Sequence, residues 1–137
     1  MHKRTPFILF GLVLLFCSLA WVGCSQREKS TPELIADLKS PEEKDRIIAV
    51  RLLPQRTRDI QTVPALIEAL KDRGADIRWS AAIGLGHLGE SAKEAIPALQ
   101  AAQSDRDARV REAAGVALSR IDPARFTPPP KHLHAGK

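Results

Sequence analysis

The stretch "GLGHLG", Gly84 to Gly89, satisfies the G-x-G-x-x-G spacing with which some proteins grip a dinucleotide. That chemistry needs a strand running into a helix, because the glycines let backbone amides approach a pyrophosphate seated at the helix N-terminus. The residues before it, Asp76 to Ile83, do not alternate. Ile77, Ala81, Leu85 and Leu88 instead recur at the four-four-three spacing of one helical face. The glycines therefore fall in a helix's last turns, where the dipole presents negative charge and repels phosphate. Gly84 reads as a close-packing position and Gly89 as a helix stop, and no cofactor is expected.

Other reactive side chains are no better placed. His87 has no serine or acid at a spacing that would make a triad. His132 and His134 supply two metal-ligating groups but no third, so no metal site is expected. Asp72 precedes Arg78 by six residues, as Asp105 precedes Arg111, which would set an acid beside an electrophile. The same spacing twice over reads instead as a structural ladder at a turn. No catalytic residue is identified, and the expectation is that the chain is not an enzyme.

Positioning these groups is a repeat. Pro32, Pro64 and Pro97 stand 32 and 33 residues apart, a period that signals stacked supersecondary units. Behind them run columns of arginine (Arg46, Arg78, Arg111), alanine (Ala49, Ala81, Ala114) and leucine (Leu53, Leu85, Leu118). In this register Gly84 matches Leu52 and Ala117, and Asp105 matches Asp72. Each unit reads as a helix pair. Thr31 caps a first helix to about Lys39, and a Ser40/Glu43 capping box opens a second to about Leu53. The next pair runs from Thr62 to Lys71 and from Ala75 to about Leu88. A Ser91/Glu94 box then opens helices from Ala92 to about Gln103 and from Asp107 to about Arg120. Strand signals are absent, so the predicted class is all-α.

First helices offer Leu34, Ile35 and Leu38, then Leu66, Ile67 and Leu70, then Ile96, Leu99 and Ala102 to the core. Second helices offer Ala49, Leu52 and Leu53, then Ile77, Ala81, Leu85 and Leu88, then Val110, Ala114, Ala117, Leu118 and Ile121. One pair cannot cover its own apolar face. Three stacked pairs can.

Thr31 to about Ile121 resembles short HEAT repeats, of the sort called lyase HEAT-like repeats, most closely over Ala69 to Gly89 and Ser104 to Ile121. The resemblance implies a short α-solenoid of three HEAT-like helix pairs whose Asp and Arg columns form a ladder. The first repeat fits less well, since Asp45 stands where Ile77 and Val110 stand, and the connection 54–62 is long. In such solenoids the second helices line the concave side. Opposite their buried columns on a helical wheel lie Ile47 and Arg51, Trp79 and Ile83, Glu112 and Val116, with His87 and Arg120 extending the same side. Trp and Arg dominate interface hot spots, so these eight residues are the candidate surface for a protein partner. The competing reading packs Trp79 over a neighbouring repeat or against the Pro128 to Pro130 tail. The expected function is a membrane-anchored, non-catalytic interaction scaffold. The alternative the resemblance carries is a HEAT-like bilin lyase, which attaches pigment to phycobiliproteins, or an accessory subunit of an envelope enzyme complex.

The N-terminus is different in kind. Lys3 and Arg4 precede an apolar run of 16 residues, Phe7 to Val22, shorter than the roughly 20 of a spanning helix. The run ends at Gly23-Cys24, which resembles the lipobox of bacterial lipoproteins, although Trp21 stands where leucine is usual. Residues 1–23 are expected to be a signal peptide, 24–30 a lipid-attached tether at Cys24, 31–121 the repeat domain and 122–137 a Pro-rich tail. The expected location is the bacterial cell envelope, with the outer membrane favoured by Ser25. The alternative is an uncleaved N-terminal anchor. Net charge is +5 over 137 residues, with acids and bases interspersed as on a solvated helix surface. Trp79 is the single tryptophan beyond the leader and tyrosine is absent, so stacking platforms for nucleic acid are lacking and none is expected to bind.

Overall fold

The computed structural model describes residues 28–126, so the expected signal peptide, Cys24, the Pro128 to Pro130 stretch and His132 and His134 lie outside the described residues. Among the described residues there are six α-helices and no strand. They are α1 (Thr31–Asp37), α2 (Glu43–Leu52), α3 (Thr62–Ala69), α4 (Ala75–Leu88), α5 (Ile96–Ala102) and α6 (Ala108–Ile121). Consecutive helices pair as α1/α2, α3/α4 and α5/α6, and the second helices stack, α2 on α4 and α4 on α6. The architecture is the all-α solenoid that the repeat period predicts.

Helix starts differ from the sequence expectation in three places. Ser30, not Thr31, caps α1: its backbone N–H and its hydroxyl both donate to Glu33 Oε2, at 2.6 and 2.8 Å. Thr31 is then the buried first residue of the helix. The Ser40/Glu43 capping box does not form. Ser40 Oγ accepts the Glu42 N–H at 3.1 Å and donates to Asp45 Oδ2 at 3.1 Å, and α2 opens two residues later than a serine cap would set it. The Ser91/Glu94 box is likewise replaced by a 3-10 turn, Gly89–Ala95, and α5 begins only at Ile96. Pro97 explains the late start, because proline is tolerated in the first turn of a helix and not inside it.

Helix ends follow backbone constraint. After α4, Gly89 takes φ +56°, a conformation that glycine adopts without a side-chain penalty. After α2, Pro54 turns the chain into a 3-10 turn, Leu53–Gln55. The long connection that follows is held by Thr62, whose hydroxyl donates to the Arg56 carbonyl at 3.0 Å.

The core is one apolar seam through the stack. Leu34, Leu53, Leu66, Ile77, Leu85, Leu99, Val110, Leu118 and Ile121 are all buried in it. Ile35, Leu38, Leu52, Ile67, Leu88 and Ile96, expected in the seam, are only partly buried along its edges. Val50 and Ala82 are fully buried although the periodic columns do not include them. Small residues set the spacing of the stack: a Cβ on Gly84 would lie 2.6 Å from Pro54 Cγ, and one on Gly86 3.0 Å from Ala117 Cα. Asp45, out of place in the first repeat's apolar column, is half-buried and paired with Ser40.

Candidate functional site

The arginine column is structural. Arg46 and Arg78 are 4% and 5% exposed, too buried for a charge without a partner. Each sends Nη1 back to two carbonyls of its own turn, Ser40 and Pro41 for Arg46, Asp72 and Arg73 for Arg78. Each turns its remaining fork onto the aspartate of the next repeat. Arg46 Nε meets Asp72 Oδ2 at 2.9 Å; Arg78 Nε and Nη2 meet the two oxygens of Asp105 at 2.8 Å each. The sequence spacing of six paired Asp72 with Arg78. The structure pairs across repeats instead, and Arg78 touches only the Asp72 backbone. Hydrogen bonding to Arg78 holds the Asp105 carboxyl below the usual carboxylate range, against the opposing effect of burial, with a further bond from the Asp107 N–H. Arg111 makes the same two carbonyl bonds, to Asp105 and Arg106, and its Nε and Nη2 meet no acid among the described residues.

Four of the eight residues expected on the partner surface converge. Arg51 on α2 and Trp79, Ile83 and His87 on α4 line one pocket of about 320 Å³ between the first two second helices. Trp79 and Ile83 are partly buried and pack against the core edge; Arg51 and His87 are exposed at the rim. The other four lie apart from it. Ile47 is half-buried against the core, and Glu112, Val116 and Arg120 sit on α6 outside the pocket lining.

Two polar lining residues escape a reading by helical face. Gln55 belongs to the 3-10 turn after α2, a stretch that reads as loop. Ser80 is 6% exposed, and its Oγ is buried without a hydrogen-bond partner among the described residues. An orphaned hydroxyl costs about 1–3 kcal/mol, so it is an unusual thing for a fold to keep. The register contained a signal: Ser80 occupies the column of Ile48 and Ala113, where the other repeats carry apolar side chains.

A second, larger groove of about 820 Å³ lies on the first-helix side, between α1 and α3. Ile35, Leu38, Ile60 and Pro64 contribute its apolar wall, and Ile60 is 88% exposed.

The family model for HEAT repeats matches residues 31–123. Among solved structures, the chain is similar to the complex of CpcE and CpcF of phycocyanin lyase from Nostoc sp. PCC7120, at 25% identity and a TM-score of 0.63. The match covers 89% of this chain but only 42% of the other, so the chain spans less than half the length of the lyase chain it resembles. No curated protein matches in sequence. The structural match corrects the expectation that the chain is not an enzyme, since its neighbour is a lyase. The absence of a triad within one chain bears only on an enzyme whose catalytic set is complete in that chain. An enzyme assembled from two polypeptides needs no such constellation in either. The matched residues take in all three helix pairs and the whole arginine ladder, and the chain belongs to the HEAT-repeat family.

Proposed function

We propose that the chain is a HEAT-like subunit of an enzyme complex of the lyase type, and that it works by pairing with a second polypeptide. The observation that carries this is the likeness to the phycocyanin lyase complex over 89% of the chain. The second-helix face around Trp79 is its working face in this reading. It groups an aromatic ring, an aliphatic wall and unpaired polar groups, as interface hot spots do. Mixing the full chain and its co-purifying protein with a bilin and an acceptor phycobiliprotein tests the lyase reading. Pigment that stays on the acceptor through denaturation is the expected result. Pigment transfer by the co-purifying protein at the same rate without this chain would defeat it.

A membrane attachment belongs to the same proposal, supported by the Gly23-Cys24-Ser25 motif behind Lys3, Arg4 and the apolar run. Here residues 1–23 are removed, Cys24 carries lipid, 24–30 tether the repeat domain of 31–121 to a bacterial envelope membrane, and 122–137 trail as a Pro-rich tail. Mass spectrometry of the membrane fraction decides it. A chain that retains Met1 with an unmodified Cys24 contradicts the attachment.

A further inference from the structure

We propose that the outer face of the last helix pair, α5/α6, docks a helix pair of a second polypeptide whose turn carries an aspartate followed by a basic residue. This surface lies at the end of the stack, apart from the Trp79 face. It goes beyond the lyase reading, because it needs a partner chain and no pigment.

Charge selects the aspartate. Arg111 Nη1 bonds to the Asp105 and Arg106 carbonyls at 2.8 and 3.2 Å, the same pair of bonds that anchors Arg46 and Arg78 in their turns. So anchored, Arg46 and Arg78 each grip an aspartate of the following repeat and are buried beneath it. Arg111 is exposed, and its Nε and Nη2 meet no acid among the described residues. A carboxylate matches such a fork in geometry as well as in charge.

The turn carbonyls select the residue after it. The Pro41 carbonyl accepts from Arg46 and also from Arg73 Nη2, at 2.8 Å; the Arg73 carbonyl accepts from Arg78 and also from Arg106 Nη2, at 3.0 Å. Both second donors directly follow the aspartate that meets the arginine. The Arg106 carbonyl accepts only from Arg111 among the described residues, so a basic residue after the partner's aspartate completes it.

Packing selects the helix. On α4 the face turned to α6 runs Arg78, Ala82 and Gly86, all buried. The same columns on α6, Arg111, Gly115 and Ser119, are exposed or partly exposed. A Cβ on Gly115 would meet only Gln103 within 4 Å, at 3.7 Å, which leaves room for a close helix. The helices received on such faces in this chain present Ser80 and Gly84, then Ala113 and Ala117, eight and twelve residues after the aspartate. The expected partner therefore carries Asp-Arg or Asp-Lys, with small residues eight and twelve positions after the aspartate.

This chain does not supply that turn itself. Its first turn is Ser40-Pro41, followed at the same offsets by Ile48 and Leu52, and its Asp72 and Asp105 are held by Arg46 and Arg78. Neither 1–27 nor 127–137 contains an acidic side chain. A second copy or the tail would leave the fork unmatched.

The test is photo-crosslinking in the source cells, with p-benzoylphenylalanine replacing Ala108, which is exposed one helical turn from Arg111. Mass spectrometry should find a crosslinked peptide of another polypeptide that contains the Asp-basic pattern. Arg111→Ala should lower the yield about tenfold, and Arg111→Lys should not restore it, since lysine has no fork. With the partner purified, Asp→Asn in its turn should weaken binding as much as Arg111→Ala does, and the two changes together should add little further. A crosslink to 127–137, to a second copy or to a peptide without the acid would overturn the proposal, as would no crosslink or a yield unchanged by Arg111→Ala. The identity of the crosslinked peptide decides the matter even where Arg111→Ala alters folding. Docking of this kind without pigment transfer defeats the lyase reading and leaves the interface standing. Pigment transfer without a crosslink here does the reverse.

Discussion

At the scale of single residues, two side chains carry the sharpest expectations. Trp79→Ala should lower capture of the co-purifying protein by an amount corresponding to about 2 kcal/mol or more, with little change in melting temperature, if its ring serves the working face. A loss of several degrees with capture intact would show that the ring serves only the core edge it packs against. Gly84→Ala sets two effects against each other. Alanine gains about 1 kcal/mol of helix propensity over glycine, but its Cβ would sit 2.6 Å from Pro54 Cγ, in a ring that cannot rotate away. Overpacking of this kind costs about 1–3 kcal/mol, so a net fall in the denaturation midpoint is expected. Both glycine roles were legible in the sequence, because a helix stop and a close approach each demand that residue type. Ser80 was not. A serine inside a helix has no periodic signature, and only comparison down the repeat column sets it apart.

At the scale of elements, the pattern of buried leucines was legible and the helix starts were not. Periodicity depends on which face is apolar, and that follows directly from residue order; a cap depends on which of several adjacent polar groups reaches a backbone N–H. The Glu33 carboxylate takes the Ser30 N–H where the sequence predicts a cap at Thr31, and the 3-10 turn Gly89–Ala95 replaces a turn of helix that Ser91 and Glu94 spell out. The seam itself gives a firm expectation. Leu85 is fully buried in α4, so Leu85→Ala should cost about 2–5 kcal/mol in chemical denaturation. Breaking a rung of the ladder acts between elements instead. Arg78→Ala would leave Asp105 largely buried without its partner, at a cost of about 3–5 kcal/mol. An unchanged midpoint would show that solvent replaces the arginine.

Over the whole molecule the ladder makes stability depend on acid. The Asp105 carboxyl titrates below its unfolded value of about 3.9, so its contribution is complete above that pH and is lost as pH falls through the lower folded value. Melting temperature should therefore hold steady from neutral pH to about 4 and fall below it, and Asp105→Asn should flatten that fall. Asp107, lowered by Arg109 on the surface, acts in the same direction but is screened by solvent. The ladder also gives the stack a polarity. At its start, Ser40 and Pro41 stand where later turns carry Asp72-Arg73 and Asp105-Arg106, so the first repeat offers no acid to anything placed before it. At its finish, Arg111 is anchored like its two predecessors and holds its outward donors unmatched among the described residues. Like a plug with pins at one end only, the molecule can be lengthened by an acid-bearing turn added after α6, and the same turn brought to α1 would find no arginine waiting.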